Sequence, residues 1–149
     1  MTPAQSSAVQ QLLPLVERSG SFGRAELRGG YVHALAKTNP AAAFRAGFDE
    51  KGAFVAWVCG ERYVSQSIEA DLMWTGDDLS ELIAEAAVDH GYSGPAFAQV
   101  EHYRDPDKLF TFLSRIPAAS PDAPTLLAAM LGYSAAFGEL GDMKPEEND

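Results

Sequence analysis

Ala42-Ala43-Phe44-Arg45-Ala46-Gly47-Phe48-Asp49-Glu50-Lys51-Gly52-Ala53-Phe54-Val55-Ala56-Trp57-Val58 reads as two strands and the turn joining them. Phe44, Ala46 and Phe48 recur at every second position, so they share one face of a strand while Arg45 points to the other. Asp49-Glu50-Lys51-Gly52 carries turn chemistry, with glycine at its end. In the second strand both alternating sets are apolar, which predicts a central position or cover on both sides. This pair fixes the class as sheet-containing.

Working outward, the same punctuation recurs. Arg24-Ala25-Glu26-Leu27-Arg28 and Tyr31-Val32-His33-Ala34-Leu35-Ala36 flank Gly29-Gly30, a two-residue hairpin signal. Tyr63-Val64 and the alternating Ile68-Glu69-Ala70-Asp71-Leu72 predict that the meander continues through residues 65–74. A third hairpin is predicted from Ala96–Tyr103 to Leu109–Ile116, turning at Asp105-Pro106-Asp107.

Helices bracket these hairpins. Thr2-Pro3 is a cap followed by proline at the first helical position, and Val9, Leu12, Leu13 and Val16 form one stripe before Gly20. Pro14 interrupts that pattern, predicting a kink or a later start. A middle helix follows Asp77 or Thr75 as cap, with Leu79, Leu82, Ile83, Ala86 and Ala87 as its apolar stripe. Its other face carries Asp78, Glu81, Glu85 and Asp89. The last helix is predicted to start at Ser120 (cap), Pro121 and Asp122, with Leu126, Met130, Tyr133, Phe137 and Leu140 in its stripe. Gly132, Ser134, Ala135 and Ala136 beside that stripe permit close packing. The expected fold is therefore α+β, an antiparallel sheet of hairpins flanked by N-terminal, middle and C-terminal helices. Residues 1–141 form one domain, and 142–149 an acidic, disordered tail.

The 149 residues carry 11 basic and 21 acidic side chains, a net charge of −10. The charge is uneven: residues 1–48 sum to +3, leaving −13 on the remainder. Such a field repels phosphate backbones and anionic lipid. Arg24, Arg28, Tyr31, Lys37 and Arg45 offer a single-strand binder its only foothold, and direct nucleic acid binding ranks third among the readings. The candidate docking charges are Arg24, Arg28 and Arg45 in the basic part and Glu81 and Glu85 on the acidic helix face, with plain solvation as the alternative. No apolar run approaches the ~20 residues of a membrane span, and the N-terminus lacks a signal-peptide pattern. A single cysteine, Cys59, excludes an intramolecular disulfide and reads as a small buried hydrophobe. These features predict a cytoplasmic protein.

The chemistry-bearing motifs are missing: no phosphate loop, dinucleotide turn, paired-histidine zinc helix or calcium loop occurs. His33 and His102 are strand positions that could meet across a sheet, yet without a carboxylate cluster they make a poor metal site. His90 before Gly91 suits a helix C-terminus. The expectation is a protein without catalytic residues, metal or cofactor.

Leu109-Phe110-Thr111-Phe112-Leu113-Ser114-Arg115-Ile116-Pro117, with the helix from Ser120 to Leu140, resembles the strand, proline-bearing turn and terminal helix of the YbjN family of bacterial proteins. The order of elements likewise resembles the type III secretion chaperone-like fold that family shares. The resemblance implies a homodimer without cofactor that binds a client protein along apolar surface on its sheet or helices. Candidate partner or dimer surfaces are the stripes Val9, Leu12, Leu13, Val16 and Met130, Tyr133, Phe137, with membership of the core weighed as the commoner use of such stripes. The leading expectation is a dimeric adaptor, regulator or chaperone-like protein, with a DNA-handling protein among the clients it could serve. The alternative is a small-ligand sensor or inhibitor, with an apolar pocket between sheet and helix built on Trp57, Phe44 and Tyr63.

Overall fold

The computed structural model describes residues 1–37, 41–60, 79–93, 97, 100–104, 109–118 and 120–141. The expected strand at 65–74, the caps Thr75 and Asp77, and the tail 142–149 lie outside them. In chain order the elements are α1 (Pro3–Ser19), β1 (Ala25–Arg28), β2 (Tyr31–Leu35), β3 (Ala42–Asp49), β4 (Gly52–Cys59), α2 (Leu79–Asp89), β5 (Glu101–Arg104), β6 (Phe110–Arg115) and α3 (Ala123–Gly141). The strands form one antiparallel sheet in the order β1-β2-β3-β4-β6-β5. The α+β class read from the hairpins is the observed one.

Local chemistry explains the boundaries. Thr2 Oγ1 accepts the Gln5 amide at 3.1 Å while Gln5 Oε1 accepts the Thr2 amide at 3.0 Å, a reciprocal capping box. Gly20 ends the helix in the left-handed conformation at φ +73°. The helix starts at Pro3 and runs through Pro14, so the later start considered for it does not occur. Glycine at 29 takes φ +57°, which lets the two-residue turn reverse β1 into β2.

The last helix corrects the sequence reading by two residues. Its cap is Asp122, whose Oδ1 accepts the Thr125 amide at 2.9 Å and the Thr125 hydroxyl at 2.6 Å. A carboxylate at that offset satisfies an orphan amide better than Ser120 placed two residues earlier. These bonds also hold the Asp122 carboxyl below its usual range. Strand β5 begins at Glu101 among the described residues, later than the predicted Ala96.

Both helices at the chain ends lie on one face of the sheet. There α1 packs on β1, β2, β3 and α3, and α3 packs on β3 and β4. Trp57 stacks on Phe137 at 5.1 Å and meets Phe112, while Phe22 closes edge-on over Phe44. Among the described residues, one polar pair interrupts this apolar layer: Ser114 and Tyr133, both fully buried, share a 2.7 Å hydrogen bond. Burial raises the Tyr133 hydroxyl pKa, so the ring keeps its proton and its partner. Helix α2 packs on α3 rather than on the strands. Gly132 makes that crossing possible, because a Cβ there would lie 2.7 Å from Ala87 Cα.

Candidate functional site

The opposite face of the sheet is the candidate site. Alternation places Glu26 and Arg28 of β1, Tyr31 and His33 of β2, Arg45 of β3, Phe54 and Ala56 of β4, and Leu113 and Arg115 of β6 there. The registers align them in two adjacent rows. One row reads Glu26, His33, Arg45, Ala56, Leu113, Glu101 across all six strands. The next reads Arg28, Tyr31, Gly47, Phe54, Arg115.

Glycine at 47 shapes the second row. A Cβ there would fall 2.3 Å from the Gly30 carbonyl oxygen and 2.6 Å from Tyr31 Cα, so β2 and β3 approach too closely for any side chain. With that position empty, Tyr31 reaches over β3 and meets Phe54 of β4 edge-on, at 6.0 Å between ring centroids. Phe54, Ala56 and Leu113 are buried beneath this layer, and Tyr31 is packed against them.

Two arginines cover the aromatic pair from either side. The Arg45 guanidinium lies 5.1 Å from the Tyr31 ring centre, and its Nε donates to His33 Nδ1 at 3.0 Å. Arg115 lies over Phe54 and forms a bidentate pair with Asp49, at 2.6 and 2.8 Å. Burial opposes ionisation of Asp49, but the hydrogen bonds from Arg115 and the Lys51 amide outweigh it and hold the carboxyl below its ordinary value. Beside this pair, Asp49, Glu50, Lys51, Glu101, Tyr103 and Arg115 line an open hollow of about 440 Å³.

His33 is held neutral. Burial pushes its pKa down to about 4, with the charges of Arg45 and Arg28 adding to the effect and Glu26 opposing it. A neutral ring is what the hydrogen bond requires, since Nδ1 must carry a lone pair to accept from Arg45. Arg28 pairs with Glu26 on its own strand. Among the described residues, Arg45 has no carboxylate partner, although Arg28 and Arg115 each have one.

The sequence-derived site residues divide between the two sides of the molecule. Val9, Leu12, Val16, Met130, Tyr133 and Phe137 are each at most 1% exposed, and Leu13 is half-buried. The stripes are spent within the protomer's own core, so their side chains present almost no surface to a partner. Of the candidate charges, Arg28 and Arg45 come together on the open face, and Arg24 is exposed just before β1. Glu81 and Glu85 are exposed on α2, on the helical side. His33 and His102 do not meet: they occupy opposite faces, with His102 stacked at 3.9 Å on Phe112. His90 is exposed after α2. Around Trp57 and Phe44, aromatic rings fill the space between sheet and helices, and Tyr63 lies outside the described residues.

Sequence reasoning missed Phe54, Leu113, Arg115 and Asp49 as members of the face that carries Arg45. Alternation puts each on the right face, but only the register of β6 beside β4 brings them together. No group of three metal-capable side chains occurs among the described residues. No protein-family model matches the chain, and neither a curated protein nor a solved structure matches it significantly.

Proposed function

We propose that this chain is a cytoplasmic, non-enzymatic adaptor or chaperone-like protein, a homodimer that holds a client protein on the open face of its sheet. One observation carries the reading: among the described residues, α1 and α3 pack on one face of the sheet, while on the other tyrosine and arginine lie over a filled apolar layer. Such side chains are rigid or pre-organised and dominate binding energy at protein interfaces. A face of mixed charge whose hollow is wide open suits a protein surface better than it suits a small molecule, which needs an enclosing site. The order of helices and hairpins supports placing the chain with the YbjN and type III secretion chaperone-like proteins. Among the described residues, no helix is long and apolar enough to cross a membrane.

Two measurements test this reading. Light scattering at micromolar concentration should give twice the 16.0 kDa chain mass. A nuclease-treated pull-down should return one or two stoichiometric proteins, and the double variant Tyr31→Ala, Arg45→Ala should lose them. A strict monomer that retains no stoichiometric protein would overturn it.

A further inference from the structure

Deepening the adaptor reading, on which this step rests, we infer that Arg45 is the receptor for a single carboxylate of the client, carried on a segment whose flanking residues are basic. Arg45 is the half-buried cation at the middle of the open face. Its orientation is fixed twice, by the hydrogen bond from Nε to His33 and by the Tyr31 ring. Because Nε is used this way, the two terminal nitrogens remain for a ligand, and no described carboxylate pairs with them. A guanidinium held rigid before binding loses little entropy when a carboxylate arrives, so the contact is strong for its size.

The row through Arg45 also defines what lies on either side of that carboxylate. It carries Glu26, which is paired with Arg28, at one end and Glu101 at the other, both exposed, so carboxylates flank the guanidinium along the row. Neighbouring strands lie about 4.8 Å apart, which puts Glu26 about 10 Å and Glu101 about 14 Å from Arg45 along the row. An extended segment advances about 3.3 Å per residue, so its complement is basic three residues before the acid and four after it. A phosphate backbone laid along the same row would bring repeated negative charge against both glutamates, in a chain already at −10. The alternating charge therefore favours a peptide over RNA or DNA.

The test uses the full chain and a labelled probe, acetyl-Lys-Ser-Thr-Glu-Thr-Ser-Thr-Lys-amide, beside the same peptide with glutamine in place of glutamate. The glutamate peptide should bind at least tenfold more tightly than the glutamine peptide, and 1 M salt should erase the difference. Arg45→Gln should abolish the discrimination, whereas Arg18→Gln, a change to an exposed arginine on α1, should preserve it. The side-chain Nε–H resonance of Arg45 should shift on adding the glutamate peptide, a readout independent of whether Arg45→Gln folds. Equal binding of the two peptides, discrimination surviving in Arg45→Gln, or tighter binding of a ten-nucleotide oligothymidylate would each overturn the inference. Because scattering and pull-down do not involve this probe, a dimer with a stoichiometric client but no glutamate preference would sink the Arg45 assignment alone.

Discussion

Strand β4 shows two ways of covering a sheet. On the side of Val55, Trp57 and Cys59, rings from α3 and β6 stack directly on the strand, and Trp57 lies within 7° of parallel to Phe137. On the side of Phe54 and Ala56 the described cover is Tyr31 together with two guanidinium groups, that of Arg45 over Tyr31 and that of Arg115 over Phe54. The first arrangement is rigid and specifies the fold, because close-packed rings leave little freedom for an alternative. The second covers the apolar layer with polar-tipped side chains that a hydrogen bond and an ion pair hold in place. The contrast teaches that burial alone does not identify core: both halves of β4 are buried, yet they are buried by different materials.

The largest effect that could break this contrast comes from truncation on the helix side. Trp57→Ala should cost about 3–5 kcal/mol in chemical denaturation, because it leaves a cavity bounded by Phe112 and Phe137. Phe54→Ala should cost less, about 2 kcal/mol, since Tyr31 and Arg115 can settle into the space. Equal costs for the two would show that the open face is a second rigid core.

An intermediate effect comes from His33, through pH. The folded pKa of about 4 lies below the ordinary 6.5, so the unfolded chain takes up the proton first. The contribution of neutral His33 is therefore complete above about pH 6.5 and is lost as pH falls from there toward 4. Between pH 7 and 5 this amounts to about 1–2 kcal/mol. His33→Gln keeps a neutral acceptor for Arg45 and removes the titration. The variant should thus lose that much less stability than the wild type over the same interval, measured by urea unfolding. Parallel pH profiles would mean that His33 is solvated and does not orient Arg45.

Much of the fold was legible because its signals are local. Gly29-Gly30 and Asp49–Gly52 announce their turns, and Thr2, Pro3 and Gly20 delimit α1 within the chain that forms it. Three matters were less accessible for physical reasons. Both Ser120 and Asp122 can cap a helix, and the choice depended on how the chain leaves Ile116. Apolar stripes such as Met130–Tyr133–Phe137 look alike whether they meet a sheet of the same chain or a partner, since periodicity records a face and not its neighbour. The candidate site itself depends on non-local register: Arg45 and Leu113 share a row only because β6 inserts between β4 and β5. What the sequence did offer was the lone arginine between Phe44 and Ala46, on the face of the strand opposite its apolar row.

The smallest effect is the most discriminating for the open face, and it concerns the strap between Asp49 and Arg115. Bidentate geometry favours the pair, but its side chains retain 39% and 20% of their exposure, so water and salt screen the attraction. Asp49→Asn keeps an acceptor for the Lys51 amide and leaves Arg115 above Phe54. The loss should therefore be only about 0.5–1 kcal/mol at low ionic strength, shrinking further in 1 M salt. The carboxyl of Asp49 is held low in the folded state, so its contribution is present above the ordinary carboxylate range and disappears as pH falls through the folded value. Asp49→Asn should accordingly lower stability by that small amount at neutral pH and converge with the wild type in acid, which flattens the acid limb of the stability curve. A cost approaching that of Trp57→Ala would mean that Arg115 cannot leave its position without exposing Phe54 and Leu113. The open face would then be structural cover, and the difference between the two sides of β4 would be one of composition and not of function.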